Sequence, residues 1–163
     1  MADLAAVHKK VEDARERSAW MALIHPHTGE IIGADEGKPV RFRLKSRDCK
    51  AYRDAEHAWE AKRALMRANS GAFTMRDWTD YEAHQTQQLI GLVVEWENVE
   101  EAGAALACTR ENISKQLDID WVRDQVYAFT SDLSKRADDE IAPQGVVEDV
   151  EKKSSTGAAG ASP

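Results

Sequence analysis

The sequence predicts an α+β, mainly helical fold, with a small N-terminal antiparallel sheet packed on a helical core and a disordered C-terminal tail. Three observations predict it. Residues 40–45 alternate apolar and basic side chains, with Val40, Phe42 and Leu44 on one side and Arg41, Arg43 and Lys45 on the other, the period-two signature of a half-buried strand. From residue 48 to 137 apolar residues recur at steps of three and four, the helical period. After Ala137 that pattern stops, and Pro, Gly, Ser, Thr and acids take over. The chain of 163 residues therefore divides into a polar N-terminal helix or arm at 1–17, one folded domain at 18–137, and an acidic tail at 138–163.

Each element has its own local cause. In LAAVHKKVEDARER, Leu4, Val7 and Val11 share one face of a short helix whose other faces are polar; a helix this short is marginal alone. Trp20 to Ile24 reads as a strand, with Pro26 and Gly29 as turn residues. Ile31 and Ile32 can begin a second short strand, and Val40 to Leu44 completes a sheet of two or three strands. Such a sheet needs a cover on its apolar side. The helix that follows is expected to supply it, with Asp48 as N-cap, a stripe of Tyr52, Ala55, Trp59, Lys62 or Arg63, and Met66, and a stop at Asn69, Ser70 and Gly71.

A second long helix is expected to start near Thr79, where Thr79 and Glu82 have capping-box spacing, and to run through Leu89, Ile90, Leu92 and Val93 to Trp96. Gly91 inside it costs about 1 kcal/mol relative to alanine, which points to a close helix–helix approach. Residues 97–107 read as a connection. Thr109 caps a short helix, RENISKQL. Asp120 caps the last one, in which Val122, Val126, Phe129 and Leu133 form a single face. The tail has too few large aliphatics to offset the entropy of ordering it. Of the five tryptophans, Trp20, Trp59 and Trp96 are expected in the core, with Trp78 and Trp121 half exposed near helix starts.

Composition narrows function. The formal net charge is −7, unfavourable for a dedicated nucleic-acid binder, whose affinity rests on phosphate contacts. The 1–17 segment lacks the apolar run of a secretory leader, and no window approaches a membrane span, so a cytoplasmic location is expected. Cys49 and Cys108 stand alone, outside any CxxC pattern, and read as structural thiols. His25 and His27 flank Pro26, but two imidazoles without a third ligand make a poor zinc site; no metal or other cofactor is expected. Glu95, Glu97, Glu100 and Glu101 read as a charged rim. No nucleophile elbow or phosphate-binding glycine loop is present, and the chain is expected not to be an enzyme.

The strongest charge feature is basic. Lys38, Arg41, Arg43, Lys45, Arg47, Lys50 and Arg53 occur with only Asp48 among them. The stretch is a solvated face or a docking surface, with nucleic acid the weaker reading and screening by the acidic tail a further one. Trp78, Tyr81, Trp121 and Tyr127 are the other candidate protein-binding residues, since aromatic side chains anchor interfaces.

Two stretches carry a resemblance. Pro26, Gly29 and Ile32 form a turn running into a strand, and Asp48, Tyr52, Arg53 and Ala55 follow at a helix start. Later, Trp96 with Val99 ends one element, Thr109 with Asn112 and Ile113 opens a short helix, and Ile119 with Trp121 opens the last one. Over roughly residues 20–137 this resembles the tail assembly chaperones of siphophage-like tailed bacteriophages, although Cys108 stands where that family has a large aromatic. The resemblance implies a chaperone that binds the tape measure protein, helps to recruit the tail tube protein, acts in the host cell cytoplasm and is absent from the mature virion. It also implies a longer form made by a programmed frameshift. The competing readings are a minor structural protein of the virion, at the head–tail junction or in the tail, and a nucleic-acid-binding accessory protein using Arg41, Arg43 and Lys45.

Overall fold

The computed structural model describes residues 2–70 and 75–141. Helix α1 (Leu4–Arg15) opens on Asp3, whose carboxylate accepts the N–H groups of Ala5 and Ala6. Strand β1 (Ser18–Ala22) pairs antiparallel with β2 (Arg41–Lys45), placing Trp20 opposite Arg43 and Met21 opposite Phe42. The connection between them turns at Gly33, where φ is +79° and a Cβ would lie 2.2 Å from the Lys38 carbonyl oxygen, so only glycine fits. Ile24 and Ile31 share an isolated bridge; the second short strand expected at Ile31 and Ile32 does not form.

Helix α2 (Lys50–Ser70) and helix α3 (Met75–Leu92) follow, and α3 runs directly into β3 (Val93–Glu97). Here the structure departs most from expectation. Val93 to Trp96, expected to end the helix, is the third strand, antiparallel to β2, in a sheet of order β1-β2-β3. The β-branched pair Val93 and Val94 and the aromatic Trp96 favour a strand, and β2 offers them a free edge. Helix α3 also begins four residues before Thr79, so the Thr79 and Glu82 spacing lies inside the helix and is not its cap. Gly91 marks no close packing, since a Cβ there would meet nothing within 4 Å.

Residues 97–107, read as a plain connection, contain a hairpin of β4 (Glu100–Glu101) and β5 (Ala104–Ala105). Ala102 and Gly103 turn it with φ of +52° and +79°, the geometry that suits the twist of a two-residue hairpin. Helix α4 (Arg110–Leu117) carries the expected Thr109 cap, whose hydroxyl accepts the Asn112 N–H. Helix α5 (Asp120–Ile141) takes Asp120 as its first residue rather than as its cap, and continues through 138–141, residues expected to belong to the tail. Gly71 and the tail from residue 142 onward lie outside the described residues.

The core lies between the inner sheet face and α3, α4 and α5. Phe42, Leu44, Leu92, Leu117, Val122 and Val126 are fully buried, and Trp96 packs on Phe42 with its indole N–H donating to the Leu106 carbonyl at 2.7 Å. The sheet is covered by α5, not by α2, which packs chiefly on α3. The α2 stripe is real, yet Trp59 stacks on His84 of α3 rather than on a strand. A turn precedes α2, in which the Ser46 hydroxyl accepts the Asp48 N–H and its carbonyl the Cys49 N–H, so that the helix begins at Lys50, two residues after Asp48. The Lys50 N–H instead donates to Glu16 at 2.7 Å, a carboxylate supplied from beyond the end of α1. The structure is thus a mixed α+β fold with a small antiparallel sheet and a helical core.

Candidate protein-binding surface

Three surfaces hold the aromatic and basic candidates. The first is the outer face of the sheet. Phe42 and Leu44 point inward, so Arg41, Arg43 and Lys45 point outward, as strand alternation requires. Trp20 joins them; expected in the core, it is 36% exposed, because its strand neighbour Met21 takes the inner position and the indole lies 5.2 Å from the Arg41 guanidinium. None of the three cations is left to bind polyanions unaided. Arg41 pairs with Glu97, Arg43 with Glu95 at 3.0 Å, and Lys45 with Glu16 at 3.2 Å. Lys50 and Arg53 are likewise paired, with Asp54 and Glu12. The positive run in the sequence is largely neutralised in space, by acids of β3, of the end of α1 and of α2.

Glu16 reaches two elements at once, accepting from the Lys45 side chain and from the Lys50 N–H. The N–H of Lys50 holds its carboxyl below the usual carboxylate range, outweighing the opposite effect of burial, and Lys45 adds to the lowering. It joins the arm, the sheet and α2 at one point. Burial pushes the Cys49 and Cys108 thiols up, with Glu95 adding to the effect at Cys108; neither has the lowered value of a reactive thiolate.

The second surface is a groove of about 550 Å³ between α3 and α5, lined among others by Ala83, Thr86, Leu89, Arg123 and Tyr127. Tyr127 is 44% exposed at its rim, its ring held 4.1 Å from the Arg47 guanidinium, a cation–π contact that fixes its orientation. The third lies on the α2 side of α3. Trp78, 53% exposed, meets Tyr81 edge-on at 6.1 Å, and Tyr81 in turn faces Trp59 at 6.4 Å. Gln85 donates to the Tyr81 hydroxyl at 2.8 Å.

Of the aromatic candidates, Trp78 and Tyr81 are therefore neighbours, and Tyr127 belongs to a different groove on the opposite flank of α3. Trp121 is half-buried against the core and anchors α5. His84, expected to be a solvated histidine in the first turns of its helix, is instead partly buried and stacked on Trp59, and the groove residues Ala83, Thr86 and Arg123 and the amide of Gln88 carry no distinct signal in the sequence.

Among the described residues no group of three or more His, Cys, Asp and Glu side chains is placed to hold a metal ion, and no helix is long and apolar enough to cross a membrane. Compared with protein-family models, curated proteins and solved structures, the chain matches none.

Proposed function

We propose that this chain is a tail assembly chaperone of a tailed bacteriophage. Its work is reversible binding of a long helical client, the tape measure protein, with no bond made or broken. The observation that carries the reading is the groove between α3 and α5. It follows α3 from Thr79 to Leu89 against one turn of α5, with the apolar Leu89 and the small Ala83 set among polar side chains that include Glu82, Gln85, Thr86 and Asp124. Tyr127 stands on its rim as a pre-oriented aromatic. A groove between helices with both apolar and polar walls suits an amphipathic helix, and tyrosine is enriched among the residues that dominate binding energy at interfaces. The resemblance over residues 20–137 supplies the client's identity, the recruitment of the tail tube protein, and action in the host cytoplasm before the virion is complete.

Co-expression with the long tail protein tests it by pull-down and by the client's solubility. The client is expected to become soluble and to co-purify, and Tyr127→Ala is expected to lower the recovered client about tenfold, as loss of an interface anchor does. If the client stays insoluble and unbound while purified particles contain this chain, the structural-virion-protein reading takes its place.

A further inference from the structure

The α2–α3 interface holds a chemical anomaly. Gln88 is only 8% exposed, and neither its amide nitrogen nor its amide oxygen has a hydrogen-bond partner. Buried polar groups are almost always paired, because leaving one unpaired costs its full desolvation. One turn away, His84 Nε2 is also buried and unbonded, its nearest carboxylate oxygen, on Glu56, being 3.7 Å off, too far for a hydrogen bond. Both residues line a cleft of about 260 Å³ between the first turns of α2 and the last turns of α3, whose walls include Ala51, Ala55, Tyr52 and Gly91.

Gly91 is the second anomaly, and it is independent of the first. A glycine within a helix is destabilising relative to alanine, and the usual compensations are close packing or a positive φ. Neither applies here: a Cβ would meet nothing within 4 Å, and the backbone is ordinary helix. What the missing side chain does is keep the cleft open beside Gln88, since residues 84, 88 and 91 share one face of α3. With Ala51 and Ala55 opposite, the walls are small enough for a bare polypeptide backbone to approach closely.

We propose that this cleft is a binding site for a main-chain peptide group in an extended segment of a protein client. This assignment rests on the proposed chaperone function. A carboxamide matches a peptide group two-fold: its oxygen accepts the segment's N–H and its nitrogen donates to the segment's C=O. A helical segment offers neither group, since its own ladder consumes them; an extended one offers both. Turning the Gln88 amide into the cleft that its residue lines breaks no hydrogen bond, because it makes none. The two flanks of α3 thus divide the client between them, a helical face on the α5 side and an extended stretch on the α2 side.

The test uses the full chain and two substitutions that a purely structural role would move in the opposite direction. Gln88→Leu removes a buried unpaired amide, and Gly91→Leu adds helix propensity and fills open space, so each raises the Tm or leaves it unchanged. Each is also expected to reduce the client recovered on co-expression by about tenfold, the loss of one to two hydrogen bonds. A raised Tm with client recovery as in the wild type overturns the site and leaves the chaperone function standing. If the wild type itself recovers no client, the chaperone function falls, and the site is judged with N-methylacetamide, a peptide-group probe, by ¹⁵N NMR. Shifts of the Gln88 side-chain NH₂ and the Gly91 amide in the wild type, with the Gln88 shift lost in Gly91→Leu, support it; unshifted signals overturn it.

Discussion

The body of the molecule and the α2–α3 hairpin are built by different rules. In the body, the inner sheet face, α4 and α5 place Phe42, Leu44, Leu117, Val122 and Val126 almost wholly out of water. In α2 not one described residue is buried, and in α3 burial begins only at Gln88. The body is thus held by removal of apolar surface, the term that scales with area, and the hairpin by a row of half-exposed aromatic contacts from Trp59 to Trp78. Stability is concentrated where the strands meet α5, and the unsatisfied polar groups gather where the packing is thin. This is the distribution expected of a protein whose binding elements come from its less stable end.

The comparison breaks most visibly if matched truncations cost the same in both regions. Phe42→Ala is expected to destabilise by about 3–5 kcal/mol, the range for a buried aromatic, measured by chemical denaturation. Trp59→Ala removes a larger ring from a half-exposed place and is expected to cost about 1–2 kcal/mol, with faster amide exchange confined to α2 and the first turns of α3. Equal losses would mean that hairpin and body unfold as one unit.

A smaller effect sharpens the boundary between them. Glu16 caps α2 from another element, and Glu16→Gln is expected to cost about 0.5–1 kcal/mol near neutral pH. Its folded carboxyl titrates below the ordinary range, so its contribution is complete above the unfolded-state value. That contribution is lost as pH falls through the folded one. The difference between wild type and Glu16→Gln should therefore close on acidification; a difference that widens would contradict the lowered value. Smallest is Leu65→Ser on the outer surface of α2, where the leucine is 67% exposed: its stability is expected to stay within about 0.5 kcal/mol of wild type.

Much of the body was legible in the sequence because its causes are local. The alternation through Phe42 and Leu44, the Thr109 cap and the Val122 and Val126 face need no partner to be recognised. What failed depended on partners distant in the chain. The segment at Val93 is apolar enough for either helix or strand, and only the free edge of β2 decides. Asp48 looks like the helix start, yet α2 begins two residues later, and its first N–H is taken by Glu16 from another element. The basic run is plain in one dimension, but its neutralisation by Glu95, Glu97, Glu12 and Glu16 appears only when four segments converge. The candidate site was half legible for the same reason. Aromatic anchors can be counted in a sequence, but Gln88 and Gly91 become unusual only once their surroundings show nothing for them to touch.

The junction of α3 and β3 has no loop: Leu92 ends one and Val93 begins the other. Both residues are buried, so the joint is clamped in the core, and α3 is a lever with the sheet as its fulcrum. An occupant on either flank that tilts the helix applies torque to β3 and strains its pairing with β2. That pairing is already offset at Arg43 and Leu44, where Val94 is passed over. The outer charge pairs of Arg41 with Glu97 and Arg43 with Glu95 lie on the short arm of this lever. With no loop between helix and strand, a tilt of α3 would be felt first at the pairing of β3 with β2 and at the ion pairs on its outer face.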